Sequence, residues 1–270
     1  MTNQNSFKEI PAWIKVTGYF LVIISAQYVA SRVSILDSMF YYFVIALAMS
    51  YLMLRAEHSS LFSLGFVPVN ATDWKKYFSG LGIGVIALIT SAGITIWLNN
   101  SRLEFTGHID PVYLLILILI NFWSAFAQEF AYRGYPFQRL LKSYGPWIAQ
   151  LVITLPFAVM HMKLGMPFTA QQFLTLWLTT GLGSILYGLC YIKTGKLLLS
   201  TGLHLGWNLA QALMPRSPAE SKTMLFNLVQ KDQGYHSLNV LLPYIGVTLI
   251  TMAFIGWNRA IYKRDNSANS

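Results

Sequence analysis

Eight apolar stretches, most of them close to the length that crosses a bilayer, constrain this chain more than anything else in it. They cover about 12–31, 38–54, 78–98, 112–132, 147–163, 172–192, 197–214 and 240–258. A spanning helix needs about 20 apolar residues, and in hydrocarbon only helices and closed barrels satisfy their own backbone polar groups. A barrel would need segments of alternating polarity, which are absent. Charged residues make up 11% of the 270, against about 25% in a soluble domain. The expected fold is all-α: a single integral membrane domain, residues 1–270, a polytopic bundle of about eight transmembrane helices. No soluble domain is expected. The first ten residues lack the charged start and cleavage site of a signal peptide, so the first helix is expected to be retained.

Lysine and arginine set the expected orientation. With the N-terminus inside, Lys8, Lys15, Arg55, Lys75, Lys76, Arg133, Arg139, Lys142, Lys193, Lys196, Arg259, Lys263 and Arg264 fall on the cytoplasmic side, thirteen of the nineteen basic residues. Arg32, Arg102, Lys163, Arg216, Lys222 and Lys231 remain outside. Both termini are therefore expected to be cytoplasmic. This topology accounts for the net charge of +9. No basic cluster is long enough to bind nucleic acid, so membrane lipid is the expected partner of this charge. Trp13, Tyr41, Trp97, Tyr113, Trp147 and Trp257 fit interfacial anchors. Gly80 with Gly84, and Gly202 with Gly206, have the four-residue spacing that lets helices approach closely. Cys190 is the single cysteine, so no internal disulfide forms. It lies in an apolar run with no adjacent base, which favours buried filler over a nucleophile.

Strongly polar side chains inside such segments are costly and mark function. Glu129 is the only one of the ten acids placed well inside a segment, and His161 and His204 are the two histidines in apolar surroundings. His58, His108 and His236 fall near span ends or in loops and receive no role. Glu129 and Arg133 are four apart, hence on one helix face. The plain reading is an ion pair near the cytoplasmic end, with Arg133 snorkelling toward water. Gln128 is turned about 100° from Glu129; its amide can hydrogen-bond but cannot take a proton near neutral pH. Pro156 is expected to kink the fifth helix. His161 alone could cap a helix end. His204 and Asn208 share a face, with Gly202 and Gly206 on another.

Depth poses a difficulty. At about 1.5 Å per residue from the cytoplasmic side, His204 lies about 10 Å deep, Glu129 no deeper, and His161 about 20 Å deep. They converge only if the fifth helix tilts, kinks at Pro156, or begins below the membrane surface.

Three patterns stand in order on successive helices: Gln128-Glu129-x-x-x-Arg133-Gly134, Phe157-x-x-x-His161 and His204-x-x-x-Asn208. Together they resemble the CAAX prenyl protease and bacteriocin-processing family of intramembrane glutamic endopeptidases, also called Abi, over about residues 111–214. The resemblance implies a hydrolase of peptide or protein substrates, a leader peptide or a prenylated C-terminus, working near the cytoplasmic face. It implies a multi-pass protein of a cell membrane, and the short loops favour a prokaryotic inner membrane. It implies that a carboxylate and His161 activate a water that attacks the peptide carbonyl directly. Asn208, with His204, would stabilise the oxyanion, and Arg133 and Phe157 would support the site. It points to a metal-independent enzyme with no cofactor. The chemical rival is zinc held by Glu129, His161 and His204.

The chain departs from the pattern at its first motif residue, where the family has Glu and this sequence has Gln128. Three readings follow: a variant altered to disable the base, a base role taken over by Glu129, or a non-catalytic membrane binding or immunity protein on the same scaffold. A small-solute or proton transporter is a further class, disfavoured because no inverted repeat is present.

Overall fold

A computed structural model of the chain describes residues 6–107, 109–162, 168–215, 225–230 and 236–258. His108, Lys163, Arg216, Lys222, Lys231, Arg259, Lys263 and Arg264 lie outside the described residues. The chain folds as an all-α polytopic bundle. One turn, α1 (Ser6–Glu9), is followed by α2 (Ala12–Ala30), α3 (Met39–Ala56), α4 (Ala71–Leu98), α5 (Pro111–Arg133), α6 (Tyr135–Met160), α7 (Ala170–Thr194), α8 (Leu198–Leu213) and α9 (Leu238–Trp257). A long helix thus occupies each of the eight expected segments. Among the described residues six helical runs are long and apolar enough to cross a membrane. They are fewer than eight because Pro111–Met160 counts as one run of 50 residues and α8 has only 16.

The helix ends have local causes. Asn70 caps α4, its side chain accepting from the Asp73 amide, so the helix begins seven residues before its apolar stretch. Thr169 and Gln172 form a capping box at the start of α7, and Gly195 ends that helix in the left-handed region. Gly145, at φ 80° and ψ 177°, breaks α6 into an initial helix up to Tyr144 and a second helix from Pro146. A side chain is strained at that φ. The fifth helix is therefore interrupted at Gly145, ahead of the expected kink at Pro156. Trp13, Trp97, Tyr113, Trp147 and Trp257 are exposed near element ends, as interfacial anchors require.

Two compact units make up the chain: Met1–Val69 with Phe126–Leu198, and Asn70–Ala125 with Leu199–Ser270. In the first, α6 and α7 pair closely. Gln150 donates to the Ile185 carbonyl at 3.0 Å, and the Trp177 indole donates to Thr154 Oγ1 at 2.9 Å. Cys190 is fully buried in this unit, in keeping with filler. An aromatic group of Phe43, Phe66, Phe126 and Phe130 fills another part, with ring centroids 5.4–6.2 Å apart.

In the second unit, α4 and α8 interlock through glycine. A Cβ at Gly80 or Gly84 would collide with α8 backbone at Leu199 or Leu203, and one at Gly202 or Gly206 with α4 backbone at Tyr77 or Leu81. Ala87, Leu88, Trp207, Ala210 and Val247 form the adjoining core. A two-stranded antiparallel ribbon, β1 (Ser101–Phe105) with β2 (Phe226–Gln230), joins what the sequence suggests are plain loops. Gly206→Val is expected to cost at least about 1–3 kcal/mol through overpacking, lowering the thermal unfolding midpoint. Gly246→Val, where a Cβ meets open space, is the matched control and is expected to leave the midpoint unchanged.

Candidate active site

Glu129 and Arg133, one helical turn apart at the end of α5, are both fully buried. An Arg133 Nη1 donates to Glu129 Oε1 at 3.3 Å. Its Nη2 donates to both the Ser184 carbonyl, at 2.8 Å, and Ser184 Oγ, at 2.9 Å, on α7. The guanidinium lies 4.6 Å from the Phe157 ring centroid and 5.3 Å from that of Tyr187. Arg133 is thus a buried cross-link between α5, α6 and α7. The expectation of a snorkelling arginine fails because hydrogen bonds and aromatic faces here replace its water.

Phe157 links this cluster to His161. Its ring lies 5.0 Å from Tyr132 and 4.9 Å from the His161 imidazole. His161 follows the last residue of α6 and bonds through Nδ1 to the Phe157 carbonyl at 2.7 Å. A carbonyl only accepts, so Nδ1 is the donor in this bond. One aromatic ring of the second motif thus contacts both the His161 imidazole and a buried cation.

The Tyr132 hydroxyl donates to the Pro156 carbonyl at 3.2 Å. Four residues back along α5 lies Gln128, and four residues on along α6 lies Met160. The two helices run in opposite directions here, so each step is about 6 Å the same way. Gln128 and His161 consequently line one cavity of about 280 Å³, with Asp37, Gln27, Tyr41 and Tyr42 also in its wall. Gln27 on α2 donates to the Met160 carbonyl at 3.1 Å, tying down the helix end that carries His161. Glu129 is not among the lining residues. The first and second motifs thus meet at one cavity despite the depth mismatch that residue counting suggests. Asp37 had no signal in the sequence beyond its place in the short connection between the first two apolar segments. The fold brings this acid to the cavity.

This cavity and the basic end of the unit are far apart along α2. Gln27 lies twelve residues beyond Lys15, about 18 Å along the helix. If the lysine- and arginine-rich end is the cytoplasmic one, the cavity is expected toward the opposite end of α2. A membrane-impermeant maleimide is expected to label Ser38→Cys on intact cells and Lys142→Cys only after permeabilisation. Cys190 is buried and stays silent. The reverse labelling would invert the orientation.

In the second unit, His204 is buried on α8 and Asn208 half-buried one turn later. Each lies two residues from Gly206, hence about 160° around the helix from the glycine face packed on α4. That polar face is separate from the packing face, as the spacing predicts. Among the described residues no group of three or more His, Cys, Asp or Glu side chains is arranged to hold a metal ion.

A helical membrane bundle with a buried Glu–Arg pair and a His-lined cavity defines the class. Residues 110–210 match a protein family described as type II CAAX prenyl endopeptidase Rce1-like. The resemblance carried by the three motifs is shown over that segment. The match supports an intramembrane endopeptidase function in general terms, a peptide or protein substrate and an integral membrane location. No curated protein matches the chain.

Proposed function

We propose that this protein is an intramembrane endopeptidase scaffold whose water-activating position is the cavity shared by Gln128 and His161. The observation that carries this reading is that shared cavity: position 128, the family's first motif position, and the His161 imidazole line the same wall, with His161 held through Nδ1 on the Phe157 carbonyl. His161 Nε2 would accept the proton of a water polarised at position 128, and that water would attack the peptide carbonyl. Glu129, Arg133 and Phe157 hold the motif helices in place. His204 and Asn208 take the oxyanion role on the strength of the motif resemblance, and His204→Ala and Asn208→Ala test it. The substrate is a leader peptide if the membrane is a prokaryotic inner membrane, the setting the short loops favour, and a prenylated C-terminus if it is eukaryotic.

A second reading has a specific observation behind it. An amide in that cavity cannot serve as a base, which favours a non-catalytic binding or immunity protein. The discriminating experiment is cleavage of a quenched-fluorescent peptide library in detergent by the native chain and by Gln128→Glu, each with and without chelator. Cleavage by the variant, indifferent to chelator, supports the endopeptidase scaffold. Cleavage already present in the native chain moves the base to Glu129 or Asp37, to be removed one at a time. Absence of cleavage in both overturns the enzymatic reading in favour of binding.

A further inference from the structure

At the other end of the first unit lies a cavity of about 620 Å³, lined by Lys8, Lys15, Glu57, His58, Arg139 and Lys142 among others. Among the described residues Glu57 is the only acid in its wall, and its carboxylate is already ion-paired. Lys15 Nζ binds Glu57 Oε1 at 2.9 Å, the Tyr135 hydroxyl donates to the same oxygen at 3.0 Å, and Arg139 Nη2 pairs with Oε2. Four cations against one acid leave three positive charges, before His58 is counted. Lys15 is nearly buried, so this charge is held in a wall rather than on free arms. Helix α2 starts at the same place. Pro11 is its N-cap and no side chain caps it, while Ala12 in its first turn lines the cavity. The positive end of that helix dipole therefore adds to the same field. Beside it, Trp13 and Ile14 present exposed apolar surface.

A concave wall of net positive charge, an uncapped helix N-terminus and flanking apolar side chains at the interfacial level fit one chemistry: an anionic phosphate joined to acyl chains. We infer that this cavity binds the phosphodiester headgroup of an anionic membrane lipid. Lys8 and Lys142 close on the phosphate, the Lys15–Glu57–Arg139 group forms the rigid floor, and the acyl chains lie along Trp13 and Ile14. The inference is independent of any peptidase activity.

The test uses the full chain in nanodiscs of phosphatidylcholine doped with phosphatidylglycerol, followed by native mass spectrometry and thermal unfolding. Phosphatidylglycerol is expected to be retained at about one molecule per chain and to raise the unfolding midpoint. The double variant Lys8→Gln/Lys142→Gln is expected to lose at least tenfold in retention. Neither lysine makes the Glu57 ion pairs, so the fold is kept, and an unchanged midpoint in pure phosphatidylcholine verifies that. Arg32→Gln/Lys75→Gln removes the same charge elsewhere and is expected to retain the lipid. Equal retention of phosphatidylcholine and phosphatidylglycerol, or equal loss in both double variants, overturns the site. Displacement of the lipid by millimolar inorganic phosphate overturns the lipid assignment in favour of a free phosphate.

Discussion

Gln128→Glu is expected to raise peptide cleavage by about 10²–10⁴-fold over the native chain, the range that positioned general acid–base groups supply. The substitution is nearly isosteric, so the cavity keeps its shape and His161 keeps its bond to the Phe157 carbonyl. What changes is that a group able to hold a proton enters a wall that already contains an imidazole. Binding and orientation are the same in both chains, so the gain should appear in kcat with KM little altered. In the Gln128→Glu background, His161→Ala is expected to return the rate to the native baseline. Two groups that polarise one water act as a unit, and removing either removes most of the effect. A His161→Ala loss that simply multiplies with the Gln128 effect would mean that the two do not act on the same water.

Asp37 makes this experiment sharper. It is the carboxylate in the cavity wall, on the short connection between α2 and α3. Native cleavage abolished by Asp37→Asn but retained in Glu129→Gln would give that acid the base role. Glu129→Gln removes a group that is buried and paired with Arg133, so its effect should fall on stability before activity.

The sequence patterns carried the helices and the identity of the polar residues, because hydrocarbon permits little else. Apolar length alone located all eight long helices, and the four-residue glycine spacing located the α4–α8 contact. Two things were not legible. The course of α6 depends on the left-handed backbone at Gly145, a single residue whose φ no periodicity encodes. That break restarts the helix that carries Phe157 and leads to His161. The role of Arg133 was equally hidden: a basic residue four from an acid at a helix end reads as a surface pair. Its burial depends on Ser184, 51 positions away, and on Phe157 and Tyr187. The order of the motifs was informative, whereas the division of labour within Gln128-Glu129, one facing a cavity and one an arginine, required the packed neighbours.

Arg133→Met is expected to cost about 3–5 kcal/mol, the penalty for removing one partner of a buried ion pair. The size follows from what is left behind. Glu129 is fully buried and loses its arginine, and both Ser184 oxygens lose a charge-assisted donor. The Phe157 and Tyr187 rings lose the cation between them, worth about 1–2 kcal/mol when desolvated. Methionine fills much of the arginine volume, so the loss reports charge more than a cavity. The double variant Glu129→Gln/Arg133→Met is expected to recover much of the stability, since it removes the buried charge altogether. Unfolding in mixed micelles, followed by tryptophan fluorescence, measures all three chains. A single variant within about 1 kcal/mol of native would mean that the pair contributes little and the helices are held by aromatic packing alone. A double variant as unstable as the single one would place the loss in the Ser184 bonds, making Arg133 a tie between α5 and α7 first and a partner of Glu129 second.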